Sequence, residues 1–279
     1  MKKALKSEVR RVLSRFEPYL EEMSVWERWP TRLAEAARYS LFSGGKRVRP
    51  CLALLSAEAM GAKFEAALPF AAAVEMVHTY SLIHDDLPSM DDDDLRRDQP
   101  TCHRKFDEAT AILAGDALLT EAFAVISRSA PDSRYSQDWI RLLAEASGGL
   151  GMVGGQVEDI AGTHTLDTLI QMQRKKTGAL ICASVVGGGV TAGLDPLWVK
   201  RLEVYGQSIG LLFQLTDDLL DAEQDAEREA NSFLHYMSQD EALEQRATYI
   251  DQALEAIKEL GPKGQTLRDF VEYVSERDK

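Results

Sequence analysis

The chain has 279 residues, of which 45% are hydrophobic and 28% are charged, a composition typical of one large soluble globular domain or two small ones. Its net charge of −13 excludes the phosphate backbone of a nucleic acid as the expected partner, because like charges repel. Three widely spaced cysteines without a C-x-x-C pair exclude a disulfide framework and a zinc pattern, so we expect a reducing, cytoplasmic location.

The N-terminal segment carries basic residues but no continuous apolar core, so we predict no signal peptide. Its apolar residues Leu5, Val9, Leu13 and Phe16 recur at helical spacing, which predicts an amphipathic first helix. The longest apolar run, ALICASVVGGGV at residues 179–190, is shorter than the roughly 20 residues that a membrane-spanning helix needs. We therefore expect no membrane span.

Helical patterns continue through the rest of the chain. Good helix formers fill its segments, and alternating runs of β-branched residues are absent. After a helical segment that leads to a glycine pair at 44–45, helices are predicted over residues 66–83, 110–126, 139–160, 166–186, 196–222, 240–260 and 264–276. Glycine and proline separate these segments, and no change in composition marks a linker. We therefore predict a single all-α helical bundle domain, residues 1–279, of eight to ten helices.

An acidic run occupies the segment HDDLPSMDDDDLRRDQPTCH, with seven aspartates between Asp85 and Asp98. Taken alone, such a run is more often a solvated surface than a site. This one follows PFAAAVEMVHTYSLI, which is apolar nearly all round and is therefore expected in the interior of a bundle. Carboxylates this close together repel one another, so a positively charged partner is expected to neutralise them.

A second acidic set lies in the segment GLLFQLTDDLLD, where Asp217, Asp218 and Asp221 occur among leucines. On a helix, Asp217 and Asp221 lie one turn apart on the same face, which Gln214 shares. Carboxylates in such apolar surroundings are costly to bury without a partner. Two oxygen-rich clusters suit a hard divalent cation, and magnesium fits better than calcium because the first cluster lacks an EF-hand loop.

Basic residues occur in three places along the chain. They are Lys46, Arg47 and Arg49 in SGGKRVRP, Arg96 and Arg97 after the first acidic run, and Lys175 and Lys176 before Thr177. Guanidinium and ammonium groups in such settings are typical phosphate ligands. Each group taken alone could equally be a surface charge, and the pattern is not a Walker P-loop. Together with two metal clusters, the three basic groups predict a substrate that bears diphosphates.

These motifs, in this order, resemble the bacterial short-chain trans-isoprenyl diphosphate synthases of the farnesyl or geranylgeranyl diphosphate synthase kind. The resemblance runs from about Leu33 to the C-terminus. It rests on SGGKRVRP, HDDLPSMDDDDLRRDQPTCH, FDEATAILAGDALLTEAF, GMVGGQVEDI, KKTGAL and GLLFQLTDDLLD. It implies an all-α bundle around a central active-site cavity, a homodimer, and magnesium-dependent transfer between isopentenyl diphosphate and an allylic diphosphate, either dimethylallyl or geranyl.

The resemblance also implies a role for each matching residue. The implied metal ligands are Asp85 and Asp91, supported by Asp86, and Asp217, with Asp218 and Asp221 nearby. The implied isopentenyl diphosphate site comprises Gly45, Lys46, Arg49, His78 and Arg97. The implied allylic side comprises Arg96, Lys176, Thr177 and Gln214. From the residues alone, core packing is the favoured role of His78, and only the resemblance assigns it to the substrate.

The resemblance implies a mechanism that needs no protein side chain as a general base. Three magnesium ions are expected to draw the diphosphate away from the allylic substrate and leave an allylic carbocation. Dipoles near Lys176, Thr177 and Gln214 are expected to stabilise that cation. The double bond of isopentenyl diphosphate then attacks it, and the released diphosphate removes the proton.

Product length is expected to depend on Tyr80. This residue lies five positions before Asp85, about 7.5 Å along a helix axis, which is close to the reach of one isoprene unit. In relatives with two extra residues inside the first aspartate motif, an aromatic residue at this position accompanies a fifteen-carbon product. We therefore predict farnesyl diphosphate as the main product, with geranylgeranyl diphosphate as the alternative. From the residues alone, core packing of Tyr80 is an equal alternative.

The sequence also departs from the family pattern. Relatives carry Gly-Lys and Gly-Lys-Asp elements after the second aspartate motif, whereas residues 221–246 here contain neither lysine nor glycine. In addition, RRDQPT replaces the usual Arg-Arg-Gly-Lys-Pro-Thr. Those lysines assist the allylic diphosphate in relatives, so we expect a raised Michaelis constant for the allylic substrate.

Two other functions stay open at this point. The lost lysines would also suit a catalytically weak subunit that regulates another prenyltransferase. A class I terpene cyclase shares an aspartate-rich motif, but it would not need SGGKRVRP, which the resemblance assigns to a second substrate.

Overall fold

The computed structural model describes residues 3–23, 25–193, 195–221 and 231–276, and almost all of its regular structure is helical. The α-helices are α1 (Lys3–Met23), α2 (Thr31–Leu41), α3 (Val48–Ala59), α4 (Phe64–Asp85), α5 (Cys102–Lys105), α6 (Glu108–Ser129), α7 (Ser133–Ser147), α8 (Met152–Ala161), α9 (Leu166–Gln173), α10 (Ala179–Val190), α11 (Pro196–Asp221), α12 (Gln239–Ala256) and α13 (Gln265–Ser275). The shorter elements are 3₁₀ turns at Trp26–Arg28, Phe233–His235 and Lys258–Gly264, a π-helical turn at Arg174–Gly178, and antiparallel strands β1 (Leu95–Arg96) and β2 (Gln99–Pro100).

Helix α4 is the centre of the bundle. All of its residues from 67 to 77 are buried, as expected for a helix that is apolar on every side. It packs against α3, α6 and α10, and the ring of Phe70 stacks on Trp139 of α7 at a centroid distance of 5.3 Å. The indole N–H of Trp139 donates to the Gly187 carbonyl at 2.8 Å, which ties α7 to α10. The packing fixes the direction of α4, whose C-terminal end carries the first aspartates.

The all-α prediction is confirmed, although several predicted helix boundaries were wrong. The predicted helix at 139–160 is two helices, because the backbone breaks between Ser147 and Met152. The first of them begins earlier than predicted, at Ser133, because the Asp132 side chain accepts a hydrogen bond from the Arg134 N–H at 2.8 Å and caps the helix. Thirteen α-helices in the described part of the chain exceed the predicted eight to ten. The π-helical turn also divides the predicted helix at 166–186 into α9 and α10, and the short helix α5 was not predicted.

Two helices, α4 and α6, are long and apolar enough to cross a membrane by length and composition alone. The most apolar 18-residue stretch of α4 is 78% buried inside the protein, and that of α6 is 50% buried. Core helices commonly combine such composition with such burial, so these two helices are weak evidence for a membrane span.

Candidate active site

A cavity of about 530 Å³ opens beside the C-terminal half of α4. Helix α8, the π-helical turn and the start of α6 supply its other walls. Six of the residues predicted from the sequence line it: Arg49, His78, Tyr80, Asp85, Lys176 and Thr177. The fold therefore brings the first aspartate motif together with basic residues that lie far from it in the sequence.

Asp85 ends α4 at the wall of this cavity. Burial raises the pKa of its carboxyl group to about 6, the charge of Lys176 opposes that rise, and the nearby Asp91 carboxylate adds to it. The backbone also returns toward the helix end, since the Asp91 N–H donates to the Asp85 carbonyl at 2.9 Å. The cost of charging Asp85 in this setting is what a bound cation would relieve.

Asp86 and Asp218 are both 3% exposed, and their carboxylates are already bonded to protein groups. One Asp86 oxygen accepts from the Arg96 guanidinium at 2.7 and 2.5 Å. Asp218 accepts from the Phe233 N–H at 2.7 Å and from Ser232 Oγ at 3.1 Å. The Gln214 amide is a further donor to Asp218, at 3.2 Å. Asp86 and Asp218 therefore suit a supporting position behind the metal ligands.

The second aspartate motif lies on α11, which packs closely on the π-helical turn. A Cβ atom at Gly210 would approach the Gly178 Cα to 2.6 Å, so only glycine permits this contact. Gln214 follows one helical turn later, and Asp217 is half-buried near the end of the helix. Neither residue is among those described as lining the cavity. Asp221 is the last helical residue, and its side chain lies outside the described part of the chain.

The available donors fit magnesium. In the ranges that the structure describes, no group of three or more His, Cys, Asp or Glu side chains could hold a metal alone. Magnesium typically uses only one or two carboxylates, with water and substrate phosphates as its other ligands. Asp85, with the exposed Asp91 nearby, offers hard oxygen atoms of that kind. We therefore expect the site to bind the ion together with a phosphate-bearing substrate.

Arg49 and His78 also line the cavity and contact each other, with 3.2 Å between Arg49 Nη1 and His78 Nε2. Burial lowers the pKa of Arg49 to about 10, which the negative Glu75 counteracts. Burial and then the positive charge of Arg49 lower the pKa of His78 well below its usual value, so the imidazole is neutral near pH 7. A neutral ring can accept from the guanidinium. His78 thus contacts a cation at the cavity as well as packing in the core.

Arg97 and Gly45 are brought together by the hairpin of β1 and β2. Arg97 and Asp98 form its two-residue turn with φ of 55° and 61°, a conformation that matches the twist of paired strands. The Arg97 guanidinium donates to the Gly44 carbonyl and lies across Gly45, where a Cβ atom would come within 2.5 Å of it. A side chain at 45 would displace the guanidinium, and the φ of 113° at this position also favours glycine. Lys46, the next residue, is exposed.

Arg47 is not a phosphate ligand, which corrects the sequence-based interpretation of the first basic group. Its side chain is 3% exposed and forms ion pairs with Glu75 at 2.7 Å and with Glu17 at 2.9 Å. It also donates to the Leu41 carbonyl at 2.7 Å. The sequence reasoning missed both glutamates, although a lone charge in the apolar stretch of α4 marks Glu75.

Lys176 and Thr177 reach the cavity from the π-helical turn, an element that occurs frequently at functional sites. Helix α8 approaches this turn closely, since a Cβ atom at Gly155 would lie 2.2 Å from the Lys176 backbone nitrogen. The Lys176 ammonium group contacts the Asp159 carboxylate of α8. Asp159 was also missed, although it lies within the motif GMVGGQVEDI.

Comparison with known proteins identifies the family. The sequence model described as polyprenyl synthetase matches residues 30–258. The chain belongs to the polyprenyl synthetase family. The farnesyl diphosphate synthase of Micrococcus luteus is 40% identical over 263 residues, which cover 89% of this chain and 90% of that protein. The chloroplastic geranylgeranyl pyrophosphate synthase of Catharanthus roseus is 44% identical over 207 residues, 72% of this chain and 58% of that protein.

The fold of the chain also matches a solved structure. An apo crystal structure of an FPP/GFPP synthase from Zymomonas mobilis superposes with a TM-score of 0.91 at 37% identity, covering 99% of this chain and 100% of that one. The resemblance inferred from the sequence is confirmed, and so is the all-α fold class. Every residue predicted for the site lies between residues 30 and 258, the part matched by the family model.

Proposed function

We propose that the chain is a magnesium-dependent trans-prenyltransferase. It condenses isopentenyl diphosphate head-to-tail with dimethylallyl or geranyl diphosphate, and its main product is farnesyl diphosphate. The observation that carries the proposal is the arrangement of one cavity. The Asp85 carboxylate lines it together with Lys176, Thr177 and the Arg49–His78 pair. Such a site combines a carboxylate with cationic groups from two different parts of the chain, which suits a reaction between two diphosphates.

The allylic diphosphate binds beside Lys176 and Arg96 in this proposal. Asp85, Asp91 and Asp217 would hold the three magnesium ions expected, with Asp86, Asp218 and Asp221 in support. When bound, magnesium acts as a Lewis acid that stabilises the negative charge of the departing diphosphate. Arg96 pairs with Asp86 at 2.5 Å, which holds its guanidinium beside the first aspartate motif.

Isopentenyl diphosphate binds at Lys46, Arg49 and Arg97, next to His78 and the Gly45 backbone. Its double bond attacks the allylic carbocation, a carbon–carbon bond forms, and the proton lost in that step passes to the released diphosphate. Carbonyl and hydroxyl dipoles of Lys176, Thr177 and Gln214 stabilise the cation, and they are already oriented before the charge develops. The apolar walls at Ile112, Met152 and Val157 accommodate the hydrocarbon chain.

An assay with isopentenyl diphosphate, magnesium and each allylic diphosphate in turn tests this function. We expect prenyl diphosphate products that disappear when EDTA replaces magnesium. A folded protein that forms no product with any allylic substrate would contradict the proposal. A regulatory subunit would be inactive alone but would change the rate of another prenyltransferase. A terpene cyclase would convert an allylic diphosphate to a hydrocarbon without isopentenyl diphosphate.

Replacing Tyr80 with alanine is expected to lengthen the product. The Tyr80 ring is 5% exposed, lines the cavity and meets the His84 ring edge-on at 5.8 Å. Its removal opens space for about one more isoprene unit along α4. Product analysis should show a shift from fifteen carbons to twenty or more, whereas Tyr80→Phe keeps the ring and should keep fifteen. Unchanged length in Tyr80→Ala, or a wild type that makes mainly twenty carbons, means that another residue limits growth.

We also propose a cytoplasmic homodimer, as the resemblance implies. Leu113 on α6 exposes 58% of its surface. An apolar side chain exposed in this way suits contact with a second copy of the chain.

A further inference from the structure

Asn231, which follows the second aspartate motif in the sequence, forms hydrogen bonds with residues at and just after the C-terminal end of α8. The Asn231 side-chain N–H groups donate to Asp159 Oδ1 at 2.8 Å and to the Asp159 carbonyl at 3.0 Å. The Asn231 carbonyl oxygen accepts from the Thr163 N–H at 3.0 Å and from its hydroxyl at 2.9 Å. Both donors and both lone pairs of the amide are used, so its orientation is determined, because the reversed amide would place donor against donor.

The other oxygen of the Asp159 carboxylate contacts the Lys176 ammonium group. The Asp159 and Lys176 side chains are 22% and 29% exposed, so this pair is shielded more than a surface ion pair. A lysine ammonium group has three N–H donors on a flexible four-carbon chain. One donor is directed to Asp159, which leaves others for a phosphate in the cavity that Lys176 lines. Asn231 thus determines where Asp159 lies, and Asp159 determines where the ammonium group lies.

We propose that Asp159 and Asn231 are positioning residues, which hold the Lys176 ammonium group at the cavity for the allylic diphosphate. The identity of that ligand rests on the proposed function, whereas the effect on Lys176 does not. Because residues 221–246 contain no lysine, the allylic side relies more heavily on Lys176 than the family pattern would require. Fixing a flexible ammonium group in advance lowers the entropy cost of binding.

A purely structural role for Asn231 is the competing explanation, and the chain offers a matched control for it. The Tyr236 hydroxyl donates to the Thr163 carbonyl at 2.7 Å and contacts the Thr163 hydroxyl at 3.1 Å. Tyr236→Phe therefore removes hydrogen bonds to Thr163, whereas the hydrogen bonds between Asn231 and Asp159 stay. The segment also keeps its contacts to Asp218 through Ser232 and Phe233 in either variant.

Steady-state kinetics of Asn231→Ala and Tyr236→Phe separate the two roles. For Asn231→Ala we expect the Michaelis constant for geranyl diphosphate to rise about tenfold, the effect of losing one charge-assisted contact. The Michaelis constant for isopentenyl diphosphate should change less than about twofold, since Arg49 and Arg97 are untouched. Tyr236→Phe should leave both constants near the wild-type values. An equal rise for both substrates, or the same effect in Tyr236→Phe, would overturn the proposal.

Chemical labelling gives a second readout that needs no prenyltransferase activity. A water-soluble amine-acylating reagent is applied to the folded protein, and the labelling rates of individual lysines are measured by mass spectrometry. Lys176 should react several-fold faster in Asn231→Ala and in Asp159→Asn, because the ammonium group loses its fixed partner. Lys175, which pairs with Glu158 on the same elements, is the internal control and should keep its rate. Unchanged labelling of Lys176 in both variants would refute the positioning role even if the protein proved inactive as a prenyltransferase.

Discussion

Replacing Asp85 with asparagine is expected to lower the rate of prenyl transfer on the order of 100-fold or more while the protein stays folded. The variant removes a negative charge at a position where the charge is costly in the absence of a cation. Burial already raises the pKa of Asp85 to about 6, which shows that the charged form is unfavourable there. Removing the charge should therefore not destabilise the folded protein. Catalysis should fail because the cations that stabilise the departing diphosphate lose a ligand. Asp217→Asn should have a comparable effect.

The acidic run itself supplies the control for this prediction. Asp92 is exposed, lies in the same segment and has a φ of 52°, a conformation that asparagine tolerates well. Asp92→Asn makes the same chemical change without removing a proposed ligand, so it should keep nearly the wild-type rate. The measurement is the turnover number at saturating substrates over a magnesium titration. Near wild-type turnover in both Asp85→Asn and Asp217→Asn would contradict the proposed metal site.

The sequence predicted the components of the cavity better than their individual contacts. Asp85, Lys176 and the Arg49–His78 pair could be found because each lies in a short motif whose residue types suit phosphate or metal binding. Their assembly follows from the direction of α4, whose all-round apolar pattern predicts burial. Local composition therefore carried most of the information about which part of the chain is functional.

Contacts between distant segments could not be predicted in this way. Three basic residues in SGGKRVRP look alike in the sequence, yet Arg47 has a left-handed backbone, with a φ of 48°, and its side chain turns inward. Its partners Glu17 and Glu75 come from two other helices, α1 and α4. The bond between Asn231 and Asp159 likewise joins residues 72 positions apart. Such pairs depend on tertiary packing, which overrides local pattern.

The helix boundary at residues 148–152 was missed although the sequence marks it. The segment GGLGM holds three glycines, which favour a break, but helical periodicity on either side predicted one continuous helix. The chain nevertheless breaks there, and the Gly148 N–H still closes α7 by donating to the Ala144 carbonyl at 3.0 Å. The break turns α8 toward the π-helical turn, where it forms one wall of the cavity.

The buried pair of Arg47 and Glu75 leads to the largest expected effect on stability. Arg47→Met should destabilise the protein by about 3–5 kcal/mol, because it leaves the Glu75 carboxylate, 2% exposed, without its cation. The double variant Arg47→Met with Glu75→Gln should recover much of this loss, since the remaining amide carries no charge. Glu17 is 38% exposed and can be solvated once Arg47 is gone. Urea unfolding of the single and double variants measures both effects.

The pH dependence of the stability lost in Arg47→Met distinguishes an unpaired buried charge from a packing defect. Burial raises the pKa of Glu75 even in the presence of Arg47, and losing Arg47 raises it further. A carboxyl group whose pKa is higher in the folded than in the unfolded state binds more protons when folded, so stability falls as pH rises through that range. The destabilisation by Arg47→Met should therefore be smaller near about pH 5 than near about pH 8, and the double variant should lose this difference. A destabilisation independent of pH would mean that lost packing of the arginine side chain, rather than the buried charge, accounts for the effect.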